Sequence, residues 1–246
     1  MKHYCIVVVF LLSGLLSHAQ KMDMSGTWRF AMDKEDAGVS GQWYLQTLGD
    51  EVELPGSMLT NGKGEPVTVR TQWVGSMVDK AFFEQDKYER YRKEDNIKVP
   101  FWLQPDKYYA GVAWYQRDID IPEAWKDKVI RLFFERCHWE SRVWIDGVEV
   151  GMRNTLSAPQ EYELTGYLKP GKHQISVRVD NRVRDIDPGE NSHSISDHTQ
   201  GNWNGIAGAM YLEAKSKIFY EQVDAYPSLV DRKLTLKLNV YNGEAK

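Results

Sequence analysis

Between Ser192 and Ile206 the chain reads SHSISDHTQGNWNGI, its densest run of groups able to do chemistry. His193 and His198, with Asp197 between them, could ligate a metal. With Ser192 or Ser194 the same groups could form a hydrolytic triad. Neither reading is complete. Zinc sites take three or four protein ligands, and the run supplies no convincing third. A triad is a spatial arrangement that linear spacing does not provide. A polar loop that docks on something else accounts for the run with fewer demands. Trp203, flanked by Asn202 and Asn204, has a second possible use. An indole can stack on a sugar ring while neighbouring amides hydrogen-bond its hydroxyls. Equally, it can pack to close a β-sandwich. Cys137 follows a strand and reads as a buried, inert thiol rather than a nucleophile.

The elements that must position this run are strands. Ile130, Leu132 and Phe134 alternate with polar residues, as do Val143 and Ile145, and Ile175, Val177 and Val179. A period of two is the mark of a half-buried strand, because successive side chains point to opposite faces of a sheet. Asp146-Gly147 between Trp144-Ile145 and Val148 predicts a type I′ hairpin, which needs positive φ at both central residues. Lys169-Pro170-Gly171 supplies a turn before the third alternation. Further strands are expected at Met24–Phe30, Val52–Leu54, Val67–Val69, Trp114–Ile121, Gln160–Glu163 and Ala209–Ala214. A helical turn is expected at Pro122–Trp125, and a short helix around Lys80–Lys93. Arg117 and Arg178 are expected to pair with acids on an outer sheet face. Two long irregular segments interrupt the pattern, Thr71–Tyr109 and Asp185–Ile206. Loops of such length in a compact domain are functional or disordered, and the aromatic content of the first argues against disorder. The fold class is all-β, a sandwich over residues 20–215. From Ile218 a new alternation begins, with LTLKLNV its most regular part, so residues 216–246 read as the first strands of a second β-sandwich.

Size and charge bound the function. Lys2 and His3, an apolar run from Ile6 to Leu16 and Ser17-His18-Ala19 make residues 1–19 a secretory signal peptide cleaved after Ala19; the run is too short to span a bilayer, which takes ~20 apolar residues. The expected location is therefore secreted or periplasmic, with no membrane attachment after cleavage. The mature chain of 227 of the 246 residues is too short for a sandwich plus a (β/α)₈ barrel, since that barrel alone takes about 250. The net charge of −4 offers no basic excess for phosphates, so nucleic acid is not an expected partner. Cys137 is left without a partner for an intramolecular disulfide.

Taken in order, Gly26-x-Trp28-x-Phe30, Leu54-Pro55-Gly56, Trp114-Tyr115-Gln116-Arg117, Ile121-Pro122, Val143-Trp144-Ile145-Asp146-Gly147, Val150-Gly151, Leu168-x-Pro170-Gly171, Val177-Arg178-Val179-Asp180-Asn181 and Gly205-Ile206-x-Gly208 resemble the N-terminal sugar-binding domain of family 2 glycoside hydrolases. That family includes β-galactosidases, β-glucuronidases and β-mannosidases. The resemblance implies a jelly-roll, galactose-binding-like sandwich, then an immunoglobulin-like sandwich, then a catalytic barrel carrying two glutamates. Retaining hydrolysis needs those carboxyl groups about 5 Å apart. The acid normally lies in an Asn-Glu pair, which this chain lacks. The implied role is thus the accessory, sugar-binding front of a secreted β-glycosidase, its remaining domains outside these residues. The alternatives are a free-standing carbohydrate-binding module and an adhesion module. The resemblance also implies a role for Asp197, eight residues before Gly205. There a carboxylate would accept hydrogen bonds from sugar hydroxyls and hold a sodium ion in the full-length enzyme. No other cofactor is implied. The family's second loop residue, an Asn in a Thr-Asn pair, is matched only by Thr71-Gln72. The substrate-binding candidates are Asp197, Trp203 and Asn204, with a carbohydrate as partner.

Overall fold

The computed structural model describes residues 20–71, 73, 84–94, 96–97, 105–184 and 201–244. The expected signal peptide lies outside them. The strands are β1 (Gln20–Asp23), β2 (Gly26–Asp33), β3 (Asp50–Leu54), β4 (Gly56–Ser57), β5 (Glu65–Pro66), β6 (Arg92–Lys93), β7 (Asn96–Ile97), β8 (Lys107–Tyr108), β9 (Val112–Ile121), β10 (Val129–His138), β11 (Glu140–Ile145), β12 (Val148–Asn154), β13 (Gln160–Glu163), β14 (Gly171–Asp180), β15 (Gly205–Lys215), β16 (Ile218–Ser228) and β17 (Lys233–Asn242). One sheet runs β1-β15-β10-β13, with β4 added beside β15. The other runs β12-β11-β14-β9-β2-β3. The two sheets enclose one core. Ile130, Leu132, Phe134, Met210 and Leu212 come from the first. Trp28, Tyr115, Val143, Ile145, Ile175, Val177 and Val179 come from the second. The alternations read from the sequence therefore point inward as expected, and the all-β sandwich is the fold observed.

Local chemistry sets the connections. Asp146 and Gly147 have φ of 50° and 81°, the paired positive values that a type I′ turn demands. A short 3₁₀ turn at Glu123–Trp125 buries Trp125. Another, at Asp86–Tyr91, occupies part of the helix expected at 80–93. Val67–Val69 is not a strand. The pairing forms one step earlier, Glu65 opposite Tyr108 and Pro66 opposite Lys107. Arg117 does not face outward. It shares the inner side of β9 with Tyr115 and Ile119, and its guanidinium donates to the carbonyls of Met24 and Ser25, 2.6 Å each. The parity of β9 places it there, and those carbonyls give its charge a partner the core cannot.

The outer face of the six-stranded sheet is not solvated either. Trp114 and Trp144 stand on it and are covered from the 34–48 segment, where Tyr44 stacks on Trp144 at 5.2 Å and 2°. Gln116 anchors this cover, donating to the Trp43 carbonyl at 2.9 Å and accepting from the Leu48 N–H at 3.2 Å.

β16 and β17 form an antiparallel ribbon beyond the sandwich. Tyr220 lies opposite Val240, Val223 opposite Leu238, Ala225 opposite Leu236 and Pro227 opposite Leu234. One face is thus apolar along its length, while Gln222–Asn239 and Asp224–Lys237 pairs line the other. Val223, Leu234, Leu236 and Leu238 are 45–60% exposed. The ribbon meets the sandwich at Arg131, which pairs with Glu221 at 2.9 Å and lies 5.1 Å from the ring centres of both Phe219 and Tyr241. Tyr241 donates its hydroxyl to Glu163 at 2.9 Å.

Candidate functional site

Both irregular segments join the sandwich at the same end, and three buried asparagines fasten them there. Asn181, fully buried just past β14, accepts from the Gly111 N–H at 2.8 Å and donates to the Tyr109 carbonyl at 2.8 Å. Asn202 donates to the Asn181 carbonyl at 2.9 Å. Asn204 donates to the carbonyls of Gly111 and Val179, both at 3.1 Å, and accepts from the Tyr115 hydroxyl at 2.8 Å. Its own carbonyl receives the Met58 N–H at 2.8 Å. Asparagine suits this work because one planar side chain both donates twice and accepts. Strand ends leave main-chain groups that the ladder does not pair, and burial makes leaving them unpaired costly.

This geometry redefines one candidate. Asn204 is 2% exposed, and both its amide protons are taken by main-chain carbonyls. It has no donor to offer a sugar hydroxyl, so its place is in the frame beneath the surface. Trp203, next to it, is half-buried. Its ring stacks on buried His138 at 4.5 Å and 21°, and its carbonyl sits 2.6 Å from His138 Nδ1. Asp197 lies outside the described residues, as do His193, His198, Ser192 and Ser194. Among the described residues no group of three or more His, Cys, Asp or Glu could hold a metal.

Beside these stems opens a cavity of about 470 Å³, walled by Lys34, Glu65, Thr68, Arg70, Thr71, Tyr108 and Tyr109. Lys34 and Glu65 form an ion pair on its wall. Tyr109 donates its hydroxyl to the Val112 carbonyl at 2.6 Å, and burial raises its phenol above the ordinary range. The ring therefore remains protonated through neutral pH. Hydroxyl, ammonium and carboxylate groups on aromatic walls fit a small polyhydroxylated molecule, and the volume lies within the usual range for such sites, roughly 300–1,000 Å³. Sequence reasoning proposed none of these residues as site residues; the family's second loop position falls on Gln72, outside the described residues. The Tyr108-Tyr109 pair before a strand was the only available signal.

Behind the cavity an ion cluster stiffens the end of β14. Arg178, 6% exposed at its side chain, donates to Glu140 at 2.9 Å and to Asp36 at 2.8 Å. Arg182 reaches Asp180 at 2.7 Å and Asp36 at 2.5 Å, and Arg184 reaches Asp180 at 2.5 Å. Burial pushes the carboxyls of Asp36 and Asp180 up, but the arginine hydrogen bonds outweigh it and hold both below the usual range. Three guanidinium groups and three carboxylates cancel, so the cluster is framework rather than an anion trap.

The model of the sugar binding domain of glycosyl hydrolases family 2 matches residues 76–215, more than half of the chain. The chain belongs to glycosyl hydrolase family 2. This family 2 chain is 28% identical to a β-galactosidase of Arthrobacter sp. (strain B7) over 175 residues, 68% of this chain and 16% of that protein. It is 24% identical to a β-glucuronidase of Paenibacillus borealis over 161 residues, 65% of this chain and 21% of that protein. The fold superposes on a solved β-glucuronidase of an uncultured Clostridium sp. with a TM-score of 0.61 at 18% identity, covering 92% of this chain and 34% of that one. The family 2 chain therefore spans about a fifth of the length of these two curated relatives and a third of the solved structure.

Proposed function

We propose that this chain is the N-terminal, sugar-binding portion of a secreted β-glycosidase, and that its 185–206 excursion helps to shape the sugar site of a barrel supplied by later sequence. The observation that carries the reading is the placement of the excursion's two stems. Its stems are locked by Asn181, Asn202 and Asn204 beside a hydroxyl-rich cavity, within the residues matched to the sugar binding domain of the family. Relatives of this kind are named β-galactosidase and β-glucuronidase. In this reading Asp197 accepts hydrogen bonds from sugar hydroxyls and holds a sodium ion, and Trp203 offers the exposed part of its ring as a stacking surface.

Two features support the wider arrangement. The ribbon β16–β17 presents a continuous apolar face, which suits the inner wall of an immunoglobulin-like sandwich completed by further strands. Gln20 pairs with Ala214, so the residue expected first after cleavage is itself held in the sheet. Secretion is tested by N-terminal sequencing of exported protein, with Gln20 expected first. The accessory role is tested by reading the coding sequence past Lys246. An in-frame barrel with two glutamates supports it, whereas a stop codon there favours a free-standing carbohydrate-binding module. Asp197→Ala in the longer enzyme is expected to lower kcat/KM; an unchanged value removes Asp197 from the site.

A further inference from the structure

The sequence holds three Asn-Gly pairs, Asn61-Gly62, Asn204-Gly205 and Asn242-Gly243. Each carries a latent reaction. The main-chain nitrogen that follows an asparagine can attack the side-chain amide carbon. A glycine in the second position favours the attack, because no Cβ hinders the approach and the backbone turns freely. Whether the reaction runs in the folded chain depends on how firmly the fold holds the amide and the glycine.

Two of the pairs are held. The Asn61 amide donates to the carbonyls of Glu53 and Ser57, at 3.0 and 2.9 Å, and accepts from the Glu53 N–H at 2.7 Å. Asn204 is buried with both amide protons taken, and Gly205 stands in the sheet opposite Ser57. Asn242 differs. It is exposed. Its side chain accepts the Glu244 N–H at 3.0 Å, and its amide nitrogen has no hydrogen-bond partner among the described residues. A donor aimed at a carbonyl oxygen stabilises the negative charge that develops there when the carbon is attacked. The Gly243 N–H is tied to the Lys217 carbonyl at 2.8 Å, but this is the last rung of the ribbon, since β17 ends at Asn242. The ends of such elements open at little cost in free energy.

We propose that Asn242 is a self-modification site, converting to aspartate and isoaspartate in the folded chain while Asn61 and Asn204 are preserved, and that the change loosens the base of the ribbon. The Gly243 nitrogen bonds to the Asn242 side-chain carbon, and the bond from that carbon to the amide nitrogen breaks. The proton lost by Gly243, relayed through water, leaves with that nitrogen as ammonia. Water then opens the resulting cyclic imide at either carbonyl. One opening gives aspartate; the other gives isoaspartate, with the former side-chain carbon in the main chain. Nothing is oxidised or reduced, and water is the only co-reactant. Both products place a carboxylate beside Glu244, and isoaspartate lengthens the main chain by one carbon, which draws the Gly243 N–H off the Lys217 carbonyl. The residue before it, Tyr241, holds the ribbon to Glu163 of the sandwich, so the seat of the ribbon is where the change is felt.

The test is incubation of the purified whole chain at pH 8 and 37 °C, in buffer and in concentrated urea, with peptide mapping by mass spectrometry and isoaspartyl methyltransferase labelling at intervals. In buffer, Asn242 is expected to convert at least tenfold faster than Asn61 or Asn204. In urea the three rates should draw together, because the fold no longer separates them. Gly243→Ala should slow the conversion at Asn242 at least tenfold. Its added Cβ would meet the Tyr241 ring at 3.2 Å, the Lys217 carbonyl at 3.4 Å and Val129 at 3.6 Å, contacts that a small shift of the ring accommodates, and a melting curve checks that it folds. Amide hydrogen exchange over residues 217–223 should be faster in the isoaspartyl fraction than in the unmodified chain. Three results would overturn the modification: Asn61 or Asn204 converting in buffer as fast as Asn242, Asn242 converting only in urea, or an unchanged rate in Gly243→Ala. Equal exchange in the two fractions would overturn the loosening of the ribbon.

Discussion

Asn204→Ala separates a framework role from a ligand role at the end of the sandwich. The substitution removes three side-chain hydrogen bonds. The Tyr115 hydroxyl, on a residue 1% exposed, loses its acceptor and cannot reach water. A buried polar group left unpaired costs about 1–3 kcal/mol. The Gly111 carbonyl fares better, because the Asn181 N–H remains 3.4 Å away. A loss of about 3 kcal/mol follows, mostly from Tyr115 and partly from the two carbonyls. For a chain of this size each kcal/mol moves the melting temperature by roughly 2–4 °C, so Tm should fall by about 6–12 °C. Burial raises the Tyr115 phenol well above its ordinary range, so melts followed by circular dichroism between pH 7 and 9 carry no titration of that group. A double-mutant cycle sharpens the test. Tyr115→Phe should destabilise the wild-type chain, yet cost much less beside Asn204→Ala, with a coupling of about 1 kcal/mol. If Asn204→Ala melts within a degree of wild type while glycan binding weakens, the framework argument is wrong and Asn204 touches the ligand.

Other outcomes follow from the same structure. Asp36 and Asp180 have folded-state carboxyl pKa values below their unfolded ones, so the stability they contribute is full above about pH 4 and lost as pH falls through the folded values. Urea midpoints of the wild type should therefore drop steeply below that pH, and those of Asp180→Asn less steeply. At pH 7 that variant should already be weaker by about 3–5 kcal/mol, because Arg178 and Arg182 lose a buried partner; parallel pH profiles would contradict the assignment. Burial pushes the Cys137 thiol up to about 12, so alkylation of the native chain at pH 8 should be negligible and should proceed only on unfolding. Leu236→Lys with Leu238→Lys, on the apolar ribbon face, should cost the chain less than about 1 kcal/mol, the range of exposed substitutions, and should reduce any self-association seen by light scattering. A large drop in Tm would mean that this face is already packed.

Much of this could be read before any coordinates. The alternations around Leu132, Val143 and Val177 located the inner faces, because a sheet with one buried side must obey a period of two. Asp146-Gly147 located a turn, because few residue pairs tolerate two positive φ values. On the outer face Arg178 pairs with acids as expected, but its cover was not legible. Trp144 and Arg178 occupy the parity that usually meets water, and nothing local reveals that the 34–48 segment folds over them. Arg117 obeyed its parity and faced inward, where a charged residue is not expected until the nearby carbonyls are known. At the site, Trp203 and its asparagines attracted notice through their types, but amides that serve a ligand and amides that serve a backbone look alike in a sequence. The difference lies in which carbonyls stand opposite, and strand order decides that. Asp197 stands only on the resemblance.

The asparagine fastening has a practical meaning for protein engineering. Asn181 and Asn202 grip main-chain atoms, so these holds do not depend on which side chains the gripped residues carry. Any redesign at this end of the sandwich must therefore keep the two amides, because replacing either strips partners from buried main-chain groups.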